Sequence, residues 1–203
     1  MSVLVIGAGG HAKVVIATLR AAGETVAGCL DDDPDALGRL VLGVPVVGAV
    51  DRVTGHRGGA VFGIGSNAVR ARLAEAYPDV DWQRAVHPAA TVHSSVRIGV
   101  GSVVFAGAVL QPDAVVGDHA IINTGATVDH DSHVGDFAHL APGVHVSGGV
   151  RVGTGAMLGA SACAIPGVTV GAWGTVGAGA AVVRDLPPRV TSVGVPATPL
   201  RPS

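Results

Sequence analysis

The side chains best equipped for chemistry are nine histidines, seven of them between His87 and His145. His130 stands out because Asp129 and Asp131 flank it. An imidazole has the right pKa to take a proton from an attacking amine or hydroxyl, a step that typically contributes about 10²–10⁴ in rate. A neighbouring carboxylate, Asp131 in preference to Asp129, orients the ring and stabilises the imidazolium. A second cluster is the run Gly7-Ala8-Gly9-Gly10-His11. Backbone N–H groups at a glycine turn that opens a helix favour phosphate or pyrophosphate. Gly7, Gly9 and Ala12 fit the spacing G-x-G-x-x-G/A, and Asp31 and Asp32 follow about twenty residues later, where a ribose or base needs an acceptor. Taken alone this spacing predicts NAD. A dinucleotide needs two βαβ halves, however, and the residues before the next region supply little more than one, so a mononucleotide fits better.

The elements that position these groups are legible as a repeat. From Val86 to Val182, in steps of six, the chain places an aliphatic residue at every position except Ala164, and from Val92 onward Ala, Ser, Val or Gly stands two places earlier, as in Ala108, Ala114, Ala120 and Ala126. Glycine often follows the aliphatic residue, as at Gly99, Gly117, Gly135, Gly153, Gly171 and Gly177. Period six is neither the 3.6 of a helix nor the 2 of a plain strand; it suits a short strand with a tight corner. Three such hexads close a triangular coil, filled by one large and one small side chain from each, with glycines expected to tolerate the corner dihedrals. Residues eighteen apart then stack on one edge. His130, two residues past Val128, falls at a corner, with Gly148 and then Gly149 one coil above it. That side-chain-free position lets a thioester approach, with a backbone N–H for its carbonyl oxygen. His133, His139 and His145 each precede an inward residue, so they point outward on three different faces, and one chain cannot bring them to a single metal.

Residues 1–83 read as a small Rossmann-like α/β domain: strands Val3–Ile6 and Thr25–Leu30, a helix Ala12–Ala22, a third strand Val61–Ile64, the turn Gly65-Ser66-Asn67 and a helix Ala68–Tyr77. Residues 84–203 form the repeat region with a short C-terminal tail. A charged fraction of 14% and a formal net charge of −2 leave no electrostatic footprint for nucleic acid or an anionic membrane. The N-terminus lacks the basic flank and long apolar region of a signal peptide, and no stretch is apolar for the width of a bilayer, so a cytoplasmic location is expected. Cys29 and Cys163 match no disulfide framework or metal pair and read as buried thiols.

The repeat resembles the hexapeptide-repeat, left-handed β-helix family. The run Ile122-Asn123-Thr124-Gly125-Ala126-Thr127-Val128-Asp129-His130-Asp131, with Gly135-Asp136-Phe137-Ala138-His139, is similar to the active-site segment of bacterial nucleotide-sugar N-acetyltransferases and their sialic acid O-acetyltransferase relatives. The glycine turn, Leu30-Asp31-Asp32, Gly63-Ile64-Gly65-Ser66-Asn67 and Gly194-Val195-Pro196-Ala197 extend the likeness along the chain. The resemblance implies direct acetyl transfer from acetyl-CoA to the amine of a nucleotide-linked amino sugar, without a metal, with His130 as general base. Asp131 stands where the family usually has Glu, and Thr198 where it usually has Lys. By the same resemblance Asn123 and His139 line the acetyl-transfer pocket, and Gly148 with Gly149 meets acetyl-CoA. Gly7, Gly9, Gly10, His11, Asp31, Asp32, Gly65 and Asn67 hold the nucleotide sugar. The family's trimeric assembly implies active sites at subunit interfaces, which outward residues such as Phe105 and Phe137 would help to build. O-acetylation of sialic acid or another sugar, a zinc-dependent β-helix hydrolase or anhydrase, and a non-enzymatic nucleotide sensor that uses the β-helix purely as a trimeric scaffold are the competing readings.

Overall fold

A computed structural model describes residues 2–200; Met1 and residues 201–203 lie outside the described residues. The first unit is built on strand β1 (Ser2–Ile6), buried because Val3, Leu4, Val5 and Ile6 face packed layers on both sides. Helix α1 (Gly10–Ala21) returns the chain to the parallel strand β2 (Thr25–Leu30), and a hairpin of β3 (Leu40–Val41) and β4 (Val44–Gly48) follows. Strand β5 (Ala60–Phe62) closes a sheet of order β3-β4-β2-β1-β5, and helix α2 (Asn67–Ala76) follows it. Both helices begin earlier than their apolar periodicity suggests. Gly9 is the N-cap of α1, and Ser66 caps α2 by accepting from the Val69 N–H.

From Ala85–Val86 to Ala181–Val182 the chain forms two-residue strands, one every six residues, arranged as a left-handed parallel β-helix. They fall into three parallel sheets in which each residue pairs with the one eighteen positions later, as Thr127 with His145 and Ile121 with His139. The inward residues Val104, Leu110, Val116, Ile122, Val128, Val134, Leu140 and Val146 are buried with alanines from Ala108 to Ala162 in one continuous core. A final antiparallel pair, Thr191–Val193 with Thr198–Pro199, joins the sheet that begins at Ala85.

The glycines divide the corner work differently from the expectation. Positive φ recurs three residues past the inward aliphatic, at Gly107, Asp113, His119, Gly125, Asp131 and Phe137 among others. The glycines directly after the aliphatic have no such dihedral. Gly117, Gly135 and Gly153 stack where successive coils nearly touch; a Cβ on Gly135 would stand 2.7 Å from the Thr154 nitrogen. They are fixed by close approach of backbone to backbone rather than by φ.

One face of the prism carries the first unit. Its outward residues Ala85, Val103 and Ile121 are buried against α1, together with Val15, Ile16 and Leu19. The other two faces present Thr91, Val109, Thr127, His145 and Cys163, and Arg97, Val115, His133, Arg151 and Thr169. Phe105, expected as an outward interface residue, is 1% exposed beneath α1, and Phe137 stacks its ring on His119 at 5.2 Å. Both serve the contact between the two parts of one chain. Cys29 is buried as expected, and its thiol is pushed up to about 11 by burial and by Asp31. Cys163 is exposed, because it precedes the inward Ala164 and alternation turns it outward.

Candidate functional site

His130 and Asp131 occupy the corner between the strand Thr127–Val128 and the strand His133–Val134. Asp131 takes the left-handed conformation, φ 59°, which swings its carboxylate back to the preceding ring. The His130 Nδ1 lies 2.8 Å from Asp131 Oδ2, while Asp129 accepts from the His130 backbone N–H. With Nδ1–H donating to the carboxylate, Nε2 keeps its lone pair and faces outward. The imidazole side chain is 63% exposed, and its pKa is raised, chiefly by the hydrogen bond to Asp131. One coil above, a Cβ on Gly148 would stand 2.7 Å from Nε2. Glycine therefore keeps the approach to the base open. The Gly149 N–H is committed to the His130 carbonyl at 2.9 Å, whereas the Gly148 N–H makes no hydrogen bond among the described residues. Of the two glycines, Gly148 has an amide free for a ligand.

Asn123 and His139 meet on the neighbouring edge. Asn123 Nδ2 lies 3.1 Å from His139 Nε2, and Asn123 Oδ1 accepts from the Thr124 N–H. His139 Nδ1 lies 3.4 Å from the Gly65 carbonyl. The amide can only donate through Nδ2, so Nε2 accepts and Nδ1 carries the proton. His139 points out of the prism as its position requires, yet it is 8% exposed because the first unit covers it. Burial, then the Arg70 charge and then His11, push its pKa down to about 4. It is neutral at physiological pH.

A cleft of about 400 Å³ in the first unit brings together Gly7, Gly9, Gly10, His11, Asp31, Asp32, Gly63, Ile64 and Gly65, with Arg72 also on its wall. Asn67, the first residue of α2, instead donates to the carbonyls of Gly155 and Ala156 in the prism. Gly7 has φ +105°, and a Cβ there would stand 2.7 Å from the Ile64 side chain. Asp31 is largely occupied by the chain itself: Oδ2 accepts from the Ala8 N–H at 2.8 Å and Oδ1 from the Asp33 N–H at 3.0 Å. Arg39 holds the Ala8 carbonyl, so the turn is clamped from both sides. Asp32 accepts from the Val50 N–H through Oδ1. The α1 N-terminus has no side-chain cap and no acidic residue in its first turn. Its uncapped amides suit a pyrophosphate. His11 Nε2 is buried without a partner, and the ring packs 5.4 Å from Phe105 and 6.0 Å from His139.

Arg70 and His119 carry no motif or spacing that singles them out in the sequence. Arg70 is 1% exposed, and His119 is stacked among Phe62, Trp82 and Phe137. His133, His139 and His145 stand on three different faces, and the described residues hold no group of three or more metal-ligating side chains. No helix among them is long and apolar enough to cross a membrane.

Residues 2–77 match the PglD N-terminal domain family. Among solved structures, the chain is 48% identical to GDP-perosamine N-acetyltransferase from Caulobacter crescentus, determined as a histidine variant with CoA and GDP-perosamine; the match covers 100% of this chain and 98% of that one, with a TM-score of 0.95. The acetyltransferase domain of PglB from Neisseria gonorrhoeae, in complex with acetyl coenzyme A, is 40% identical over 98% of each chain, with a TM-score of 0.92. WeeI from Acinetobacter baumannii is 26% identical, over 98% of this chain and 100% of that one, with a TM-score of 0.89. Uncharacterized protein L142 of Acanthamoeba polyphaga mimivirus is 32% identical over 103 residues, and that match spans 21% of its length.

Proposed function

The chain belongs to the PglD-like family of hexapeptide-repeat nucleotide-sugar N-acetyltransferases, and on that premise we propose that it transfers acetyl from acetyl-CoA to the amine of a nucleotide-linked amino sugar. The observation that carries this reading is the His130 Nε2, held by Asp131 through the other nitrogen and left uncovered by Gly148. The amine attacks the thioester carbonyl, Nε2 takes the amine proton, and the imidazolium is stabilised by Asp131. The Gly148 N–H is the donor for the developing oxyanion. Collapse of the tetrahedral intermediate forms the amide and expels the CoA thiolate, which takes the proton back from the His130 imidazolium and leaves as the thiol, with no acetyl-enzyme. The cleft at the α1 N-terminus takes the nucleotide pyrophosphate, with Asp32 turned to the ribose or base, and Asn123 and His139 orient the sugar end. GDP-perosamine, the ligand of the Caulobacter relative, is the first acceptor to try.

Geometry supports a trimer. The nucleotide cleft and His139 lie on the face covered by the first unit, and His130 occupies the corner opposite that face. A face about five extended residues wide spans roughly 16 Å. His130 of one chain therefore cannot reach an acceptor held on the far side of its own prism, whereas His130 of an adjacent copy can. A homotrimer with its active sites between subunits meets this requirement, in the cytoplasm where acetyl-CoA is supplied.

The test is release of free CoA from acetyl-CoA in the presence of UDP-, GDP- and dTDP-linked amino sugars, with sialic acid as the O-acetyl acceptor for comparison. Turnover with one nucleotide amino sugar, and a rise in apparent melting temperature with the same compound, is expected. Turnover with sialic acid alone would move the assignment to O-acetylation.

A further inference from the structure

Arg70, on α2, is among the largest fully buried side chains of the molecule, and no carboxylate lies within ion-pair distance of it among the described residues. All five of its N–H donors are nonetheless used. Nε donates to the His119 carbonyl at 3.1 Å and one Nη2 hydrogen to the Phe137 carbonyl at 2.8 Å, both at corners of the prism. Nη1 donates to the carbonyls of Ile64 at 3.1 Å and Gly65 at 2.9 Å, and Nη2 also reaches Asn67 Oδ1 at 3.0 Å. Ile64 and Gly65 are wall residues of the nucleotide cleft. The Gly65 carbonyl is also the partner of His139 Nδ1, whose other nitrogen holds Asn123.

Joining the two parts of the chain does not call for a buried cation. An apolar side chain of similar volume would do so without the desolvation penalty of an unpaired guanidinium. An apolar side chain could not fix the direction of the Ile64 and Gly65 carbonyls relative to the prism. We infer that Arg70 is a positioning residue for acetyl transfer. It sets the Ile64–Gly65 wall of the nucleotide cleft and, through the shared Gly65 carbonyl, the orientation of the His139–Asn123 pair. The inference rests on the proposed acetyl transfer to a nucleotide amino sugar.

The experiment is steady-state kinetics of wild type, Arg70→Lys and Arg70→Met with the nucleotide amino sugar and acetyl-CoA varied separately. Arg70→Met is expected to raise KM for the nucleotide sugar and lower kcat by about tenfold each, leaving KM for acetyl-CoA within about twofold. Arg70→Lys keeps the charge and some of the carbonyl contacts, so it recovers part of both losses. A purely structural arginine would give a lower melting temperature, unchanged KM values and a kcat reduced only with the folded fraction. That pattern, in whichever variant folds, overturns the inference, and so does failure of both variants to fold. Wild-type protein with no transfer to any nucleotide amino sugar would instead remove the underlying functional reading.

Discussion

At the scale of single residues, the His130–Asp131 pair sets the sharpest expectations. His130→Ala should lower turnover by at least about a hundredfold while CoA affinity stays nearly unchanged, because it removes the base and no CoA contact; titrating CoA alongside the rate measurement separates the two. In the proposed mechanism the neutral imidazole is the active form, and the Asp131 hydrogen bond raises its pKa above the ordinary 6.5. The acid limb of kcat/KM should therefore lie above that value. Asp131→Asn removes the charge that favours the imidazolium, so the limb moves to lower pH and the plateau falls with the weaker base. A limb that stays in place would show that another group titrates. His130 was legible because an adjacent acid and a glycine eighteen residues on are visible in a string of letters. Arg70 was not, since two arginines, Arg70 and Arg72, between Val69 and Leu73 read alike as the solvated side of a helix until the prism is placed against one of them. For Asp31, sequence shows an acceptor near a ribose site but not that the Ala8 and Asp33 amides each already donate to one of its oxygens.

Among the elements, the coil is the unit whose sequence and structure agree most closely, because an inward residue every six positions leaves one way to wind. The docking of the first unit was also written there, in the outward residues Ala85, Val103 and Ile121, which are all apolar, whereas the column Arg97, Val115, His133 and Arg151 is charged or polar at every position but Val115. It is visible only when outward residues are read at a period of eighteen. The two kinds of glycine could not be separated by spacing alone, since dihedral need and close approach both select the same residue. Among glycines without a positive φ, close approach to a side chain and close approach to backbone separate on substitution. Gly148→Ala places a Cβ 2.6 Å from His130 Cε1, so the ring must move and transfer should collapse with the melting temperature nearly preserved. Gly135→Ala meets the Thr154 backbone, which cannot move without parting two coils, and should cost about 1–3 kcal/mol of stability. Thermal denaturation of both variants decides it; equal melting temperatures would contradict the division.

For the whole molecule, burial of titratable groups between the two units makes stability depend on pH. His11, His119 and His139 each have a folded-state pKa of about 4, against 6.5 in the unfolded chain, because burial disfavours the imidazolium. Below pH 6.5 the unfolded chain binds protons that the folded one refuses, so their contribution, full above 6.5, is lost as pH falls toward 4. The raised pKa of exposed His130 works in the opposite sense. His119→Asn suits the positive φ of 53° and cannot titrate, so it should flatten the fall in melting temperature between pH 7 and pH 4.5; an unchanged slope would clear His119 of that role. Assembly is testable with the same economy. If each site joins His130 of one copy to Asn123 and His139 of the next, His130→Ala and Asn123→Ala spoil opposite halves of it. A trimer containing both variants then regains one intact site, whichever variant supplies two of its chains. Random mixing at equal amounts makes about three-quarters of the trimers mixed, so the pool should recover about a quarter of the native rate, where either variant alone is slow. Sites contained in a single chain would recover nothing on mixing, because every chain would still carry one defect in its own site.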